Sequence, residues 1–254
     1  MPLARRIIPV FDLVKGRVVK GIRMEAVDDR ADAVEVARAF EAQGADEITL
    51  LDVSSGGGRG DTLADVLARI SERVFVPVTA GGGIGSCQDV KRMLNAGADK
   101  VILNTAAILD PELVLRAVDR FGSECIAGAV DVRRRKGEEG WEVVTHGGRK
   151  GAGMDVRVWV QQLADYGVGE IILTSMDRDG TRKGFDMPLV ETVSEITAVP
   201  LVVSGGAGEP QDIEAALAPG LADGVMVASI FHSGDYTIGG VKEYLAMRGM
   251  NIRP

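Results

Sequence analysis

The segments EITLL at residues 47–51 and EIILT at residues 170–174 carry the same apolar strand pattern, 123 residues apart. The segments AGGG at 80–83 and SGGA at 204–207 repeat at nearly the same separation. Self-similarity at a fixed period indicates repeated structural units. We therefore expect the chain to be built from two copies of one substructure.

Short apolar segments alternate with amphipathic helical patterns along the whole chain. Such near-continuous apolar strands are typical of a parallel sheet that is covered by helices. The predicted strands are near residues 6–11, 47–52, 76–80, 100–104, 125–131, 170–175, 200–204 and 224–228. The predicted helices are near residues 32–43, 61–73, 87–96, 110–121, 155–166, 187–195, 210–218 and 238–248.

Eight strand–helix units allow either a closed barrel or an open, doubly wound sheet. The length of 254 residues is close to that of a single (β/α)8 barrel, which typically has about 250 residues. Two halves with equal numbers of strands favour closure. The sequence therefore predicts an α/β protein, a single TIM-barrel domain over residues 1–254, made of half-barrels at about residues 1–122 and 123–254.

The composition excludes several classes of function. A net charge of −8 argues against general nucleic-acid binding. No apolar run reaches the ~18 residues of a membrane span, and the N-terminus lacks the apolar core of a secretory signal, so we expect a cytoplasmic protein. Cys87 and Cys125 have no metal-ligand spacing, and His146 and His232 are the only histidines. We therefore expect no metal site.

Two apolar strands end in an aspartate. Ile7 to Phe11 leads to Asp12, and the strand IAGAV leads to Asp131, 119 residues later. In α/β folds, ligands bind at the carboxyl ends of the strands. Two carboxyl groups that flank a substrate suit general acid and base chemistry when one of them is protonated. The alternative is that each is only the polar end of a buried strand.

Glycine clusters follow the third and seventh predicted strands, at residues 81–83 and 205–208. Small polar residues follow the fourth and eighth strands, at Asn104-Thr105 and Ala228-Ser229. Glycine lets backbone N–H groups approach an anion closely, and barrels frequently bind phosphate after strands seven and eight. The two matched clusters favour a substrate with a phosphate at each end, although they could also be tight turns alone.

Further polar residues lie at both ends of the predicted barrel. Thr174 and Asp179, near the end of strand six, could bind hydroxyl groups, and Lys20 could neutralise a phosphate. Four charged residues begin strands at the opposite end of the barrel. They are Arg6, Glu47, Lys100 and Glu170. Because burying charges is costly unless they pair, these four predict either a structural plug or a gate into the barrel.

Six segments, in order along the chain, resemble the cyclase subunit of imidazole glycerol phosphate synthase. They are RVVKG at 17–21, GGGI at 81–84, GADKVILNTAAI at 97–108, GEIILTSMDRDGT at 169–181, SGGAG at 204–208 and ASIFH at 228–232. The resemblance implies a (β/α)8 barrel of histidine biosynthesis without a cofactor. It also implies a heterodimer with a glutaminase, docked on the N-terminal rim, whose ammonia is used to split and cyclise phosphoribulosyl-formimino-aminoimidazole carboxamide ribotide.

Roles carry over by matching position. The resemblance implies that Asp12 is the general acid and Asp131 the general base. It implies that the substrate and its phosphates bind at Lys20, Gly83, Asn104, Thr105, Asp179, Gly180, Gly206, Ala228 and Ser229. It implies an ammonia gate formed by Arg6, Glu47, Lys100 and Glu170.

The chain also departs from the family pattern, and two other functions stay open. Val10, Ile102 and Glu124 replace residues that are common in the family, Met24 stands for a phenylalanine, and the loop from Ser54 to Gly60 is rich in glycine. The first alternative is a sugar-phosphate isomerase of the same pathway, which would share the repeat and both aspartates. The second is a non-catalytic subunit that binds a phosphorylated metabolite and regulates a glutaminase.

Overall fold

Strands and helices alternate along the chain in the computed structural model, which describes residues 4–22, 25–54 and 60–253. Met24 and residues 55–59 of the glycine-rich loop lie outside the described residues. The strands are β1 Arg6–Val14, β2 Arg17–Ile22, β3 Glu25–Ala31, β4 Ile48–Asp52, β5 Val78–Gly81, β6 Lys100–Leu103, β7 Ile126–Arg134, β8 Trp141–Thr145, β9 Lys150–Asp155, β10 Glu170–Ser175, β11 Leu201–Ser204 and β12 Gly224–Val227. The helices are α1 Ala33–Ala42, α2 Gly60–Ser71, α3 Cys87–Asn95, α4 Thr105–Leu109, α5 Glu112–Phe121, α6 Val156–Asp165, α7 Met187–Ser194, α8 Pro210–Ala216, α9 Ser229–His232 and α10 Ile238–Met247.

Eight of these strands form a closed, all-parallel barrel with helices between them, so the predicted (β/α)8 fold is confirmed. The order around the barrel is β1, β4, β5, β6, β7, β10, β11 and β12. Pairing of β7 with β10, in which Asp131 is opposite Thr174, belongs to this closed sheet. All eight barrel strands coincide with the predicted ones to within about three residues at either end.

The chain divides into two compact units. One contains Met1–Ile102 and Met226–Pro254, and the other contains Leu103–Val225. In the first unit, Ile7, Ile8 and Phe11 of β1 are buried. In the second, Gly128 of β7 lies under Leu163 of α6, and a Cβ atom there would come within 2.8 Å of the leucine Cδ1. The predicted half-barrel limits near residue 122 stay a prediction.

Local sequence signals account for several helix starts. Asp32 caps α1 by accepting a hydrogen bond from the backbone N–H of Val34 at 2.9 Å. Glu209 and Asp212 form a capping box at α8, with Pro210 in the first turn. Among the residues that the structure describes, no helix is long and apolar enough to cross a membrane.

Two antiparallel hairpins extend the barrel strands beyond the predicted pattern. β2 and β3 follow β1, while β8 and β9 follow β7. The four-residue turn between β8 and β9 contains His146, Gly147 and Gly148, with positive φ values of 56°, 64° and 80°. Glycine adopts such left-handed backbone conformations readily, whereas they are uncommon for other residues.

Candidate active site

The second unit places Asp131 in the carboxyl-terminal part of β7. The preceding residues of the strand, from Ile126 to Val130, are buried, and Asp131 itself is only 9% exposed. The carboxyl oxygen Oδ2 accepts a hydrogen bond from Nδ2 of Asn104 at 2.9 Å. Thr174, opposite Asp131 on β10, also hydrogen-bonds the carboxyl group. Three predicted site residues therefore meet in this unit.

Burial dominates the electrostatics of Asp131. Removal from water disfavours the charged form and raises the pKa of Asp131 to about 6, and the negative charge of Asp179 acts in the same direction. The hydrogen bonds from Asn104 and Thr174 favour the charged form and oppose this rise. A carboxyl group with a pKa near 6 is largely ionised at neutral pH and still basic enough to accept a proton, which suits a general base.

The loop after β10 holds Asp179 and Gly180. The backbone N–H of Asp179 donates to the carbonyl oxygen of Ser175 at 2.9 Å, and Gly180 has a φ of 68°. Burial raises the pKa of Asp179, while a backbone hydrogen bond from Gly180 opposes the rise. The influence of Asp179 on the pKa of Asp131 brings the loop and the strand end into one electrostatic cluster.

Within the two glycine clusters, some glycines are required by close packing of the backbone and one is not. A Cβ at Gly206 in the second unit would overlap the Gly184 carbonyl oxygen, and a Cβ at Gly82 in the first unit would overlap the Asp52 carbonyl oxygen. Close backbone packing therefore explains both residues without a ligand. At Gly83, where φ is 66°, a Cβ would meet nothing within 4 Å, so open space lies beside this backbone.

In the first unit, Asp12 lies on β1 between Leu51 of β4 and Val19 of β2. The backbone of Lys20 pairs with Val27, and its side chain lies outside the description. In the same unit Ala228 caps α9, and Ser229 is the first residue of that helix.

Three of the four predicted gate residues meet at the start of the strands in the first unit. Glu47, 5% exposed, accepts Arg6 Nη1 at 3.2 Å, and its two carboxyl oxygens each lie 3.4 Å from Lys100 Nζ. Thr79 Oγ1 donates to Glu47 Oε1 at 2.5 Å. Glu170, the fourth residue, is buried at the start of β10 in the second unit.

Some residues around the candidate site were missed by the sequence analysis. Thr79 is one, since only the pairing of β4 with β5 reveals that it neighbours Glu47. Asp186 is another: it is 2% exposed and accepts hydrogen bonds from Trp141 Nε1 and Arg134 Nη2, both at 3.0 Å. The WEVVT alternation at 141–145 is the signal that could have revealed the strand carrying Trp141.

The sequence model of a family described as "Histidine biosynthesis protein" matches residues 6–237 of the 254. The match includes every candidate site residue named above. Among the described residues, no group of three or more His, Cys, Asp or Glu side chains is placed to hold a metal ion.

Proposed function

The chain belongs to the histidine biosynthesis protein family, and from this premise we propose that it is the cyclase subunit of imidazole glycerol phosphate synthase. The family comprises enzymes of that pathway, both isomerases and cyclases. The proposal therefore concerns which of the two reactions this chain catalyses. It is supported by the resemblance of the RVVKG and DRDGT segments and by the charged cluster around Glu47.

In the proposed reaction, ammonia attacks phosphoribulosyl-formimino-aminoimidazole carboxamide ribotide. The products are imidazole glycerol phosphate, aminoimidazole carboxamide ribotide and one water molecule, which carries away the carbonyl oxygen that ammonia replaces. Asp131 accepts a proton as the general base, and Asp12 donates one as the general acid. The pKa of Asp131, raised by burial to about 6, is compatible with the basic role at neutral pH. The phosphates are assigned to Gly83, Asn104 and Thr105 and to Gly180, Gly206, Ala228 and Ser229.

The observation that carries the cyclase over the isomerase is the set of charges around Glu47. A buried carboxylate that holds both Arg6 and Lys100 is costly to desolvate, and a hydrophobic plug of the same size is often as stable. An enzyme that only rearranges a sugar phosphate at the carboxyl ends of the strands has no need for it. An enzyme that admits ammonia at the amino ends of the strands needs polar groups there. The proposed partner is accordingly a glutaminase docked on the amino-terminal rim of the barrel.

The isomerase remains the second candidate, because the duplicated barrel and the acid at the end of β7 serve either reaction. The test supplies each substrate separately to the purified chain. With an ammonium salt at alkaline pH, a cyclase consumes the ribulosyl substrate without any partner, and the change is followed by ultraviolet absorbance. An isomerase converts only the aldose precursor, and a regulatory binding protein converts neither.

The same assay tests the two acids. Asp12→Asn and Asp131→Asn keep the side-chain volume and remove the titratable proton, so each is expected to lower turnover by at least the ~10²–10⁴-fold that general acid–base catalysis contributes. Circular dichroism and the unfolding midpoint check that the fold persists. Activity like that of the wild type in either variant contradicts the assignment of that residue.

A further inference from the structure

The β8–β9 hairpin brings His146 to the residues around Asp131. The backbone N–H of His146 donates to Thr105 Oγ1 at 3.0 Å. Thr105 directly follows Asn104, whose side chain binds Asp131. His146 therefore lies beside one of the two proposed phosphate-binding groups, although it belongs to none of the motifs that predicted the site.

The rest of the hairpin is fixed to the loop that follows β10. The backbone N–H of Arg134 donates to Asp177 Oδ2 at 2.7 Å, and the indole of Trp141 donates to Asp186. Near the turn, a Cβ on Gly148 would come within 2.7 Å of Met176 Cε, so the two segments are in close contact. These contacts, all within the second unit, hold the turn in place beside Thr105.

Thr145 holds the imidazole of His146 through the proximal ring nitrogen. Thr145 Oγ1 lies 2.9 Å from His146 Nδ1 and 3.2 Å from the carbonyl oxygen of Lys150. Which partner donates in the contact with Nδ1 depends on the histidine tautomer. Because this contact engages Nδ1, the distal Nε2 is the ring nitrogen that can donate to a phosphate, either in imidazolium or in the neutral form with its proton on Nε2.

The turn is also positively charged. Residues 145–150, THGGRK, contain Arg149 and Lys150 and no acidic residue, in a chain whose net charge is −8. Arg149 Nε donates to the carbonyl oxygen of His146 at 2.8 Å, which keeps the guanidinium beside the histidine. Imidazole, guanidinium and hydroxyl groups near a partly accessible glycine backbone are the groups that recognise phosphate, and Gly147 and Gly148 are both half-buried.

We infer that His146 is a substrate-contacting residue that binds, through Nε2, the phosphate held at Thr105. This inference rests on the proposed phosphorylated substrate, but it does not depend on which of the two reactions the enzyme catalyses. It adds a specificity-determining residue on the hairpin to the group that follows β6.

The two histidines of the chain allow a direct test by nuclear magnetic resonance. Inorganic phosphate is titrated into the uniformly ¹⁵N-labelled protein while the imidazole nitrogens are observed. The expected result is a saturable shift of the His146 Nε2 resonance. The His232 resonance is followed separately, because its Nε2 donates to the Val10 carbonyl oxygen at 2.9 Å and its helix begins at the second proposed phosphate site. Sodium chloride at the same ionic strength is the control for general screening.

Two variants distinguish a phosphate contact from a structural role. His146→Asn tolerates a positive φ and keeps a short donor near Thr145, but it lacks the distal nitrogen. Phosphate affinity, read from the amide resonance of Thr105, is expected to fall about tenfold, the effect of one charge-assisted hydrogen bond. His146→Gln carries a donor farther out and is expected to restore part of the loss.

The outcomes separate this inference from the proposed reaction. A shift at His146 in a protein that fails to consume the ribulosyl substrate supports the phosphate contact and contradicts the cyclase. Phosphate binding at the Thr105 amide, with unmoved His146 resonances and unchanged affinity in His146→Asn, overturns the inference. The absence of any phosphate-dependent shift up to ~100 mM, far above the range of specific ligand affinities, also overturns it.

Discussion

Asn104 donates a hydrogen bond from Nδ2 to Oδ2 of Asp131 over 2.9 Å. Asn104 follows β6, Asp131 lies on β7, and the bond joins two strand ends that are 27 residues apart in the chain. The amide stabilises the carboxylate, whereas burial and Asp179 destabilise it. The pKa of Asp131 therefore reflects neighbours that act in opposite directions, and each can be removed separately.

Asn104→Leu removes the amide donor at nearly constant volume and is expected to raise the pKa of Asp131. Since a general base acts when it is ionised, kcat/KM should fall below pH ~6 in the wild type. In the variant, this acidic limb of the plot of kcat/KM against pH should move up by about one pH unit. The measurement is the pH dependence of kcat/KM for the ammonia-dependent reaction, with the concentration of free ammonia held constant.

Asp179→Asn provides the matched comparison, because it removes a like charge instead of a donor. The limb should then move to lower pH, even if the variant binds substrate more weakly. Limbs that move in the same direction in both variants would contradict the assignment of this limb to Asp131.

Asp131→Asn should stabilise the protein at neutral pH. The folded pKa of Asp131 is about 6 against an ordinary value of 3.8, so the folded state binds more protons between these values and the free energy of unfolding falls as pH rises through them. At about 1.4 kcal/mol per pH unit, the loss approaches ~3 kcal/mol above pH 6. Asparagine does not titrate, so the free energy of unfolding of the variant does not fall in this way as the pH rises.

Urea unfolding at pH 4 and pH 8 measures the effect. The stability difference between variant and wild type should be larger at pH 8, by up to ~3 kcal/mol. A variant that is destabilised equally at both pH values would show that Asp131 is not held against an unfavourable burial energy.

Local patterns were sufficient for the residues that a single strand positions. The run from Ile126 to Val130 predicts a buried strand, and the next residue, Asp131, must then lie toward its carboxyl end. The capping residues Asp32 and Glu209 were predictable for the same reason, since each acts on the helix that it begins. The repeat extended this reasoning to the whole barrel.

Contacts between distant segments could not be predicted in this way. Glu47 meets Thr79 only because β4 and β5 pair in a particular register. The approach of His146 to Thr105 depends on a hairpin whose strands, Trp141–Thr145 and Lys150–Asp155, were assigned to the connection before α6. The β–turn–β signal was present, but the expected strand–helix alternation took precedence over it.

Lys242→Ala is expected to destabilise the first unit. Lys242 Nζ lies 2.8 Å from Asp46 Oδ1, both residues are buried, and Asp46 Oδ2 also accepts the backbone N–H of Ile7 at 2.8 Å. Removal of one partner leaves a buried charge and typically costs about 3–5 kcal/mol. Urea unfolding of the variant measures this cost.

The double variant Lys242→Met with Asp46→Asn is the control for that experiment. Methionine keeps the apolar stem of lysine, and asparagine keeps the acceptor for Ile7 without the charge. It should recover much of the stability, because replacing a buried ion pair with uncharged groups is often nearly neutral. A single variant as stable as the wild type would contradict a buried, charge-paired Lys242.

Lys100→Ala should affect glutamine-dependent turnover more than ammonia-dependent turnover. Its Nζ lies 3.4 Å from both carboxyl oxygens of Glu47, so its removal leaves this carboxylate with Arg6 and Thr79 and changes the charge at the proposed ammonia entrance. Ammonia from solution at high concentration enters independently of a glutaminase, whereas ammonia from the partner must pass this cluster. We expect at least a threefold larger loss with glutamine, a change of about 0.7 kcal/mol in the free energy of activation.

Lys91→Ala is the matched control, because Lys91 is an exposed lysine on α3 of the same unit. It should leave the ratio of the two activities unchanged. Equal losses in both assays for Lys100→Ala would remove the basis for an ammonia gate and would assign the charges around Glu47 to stability alone.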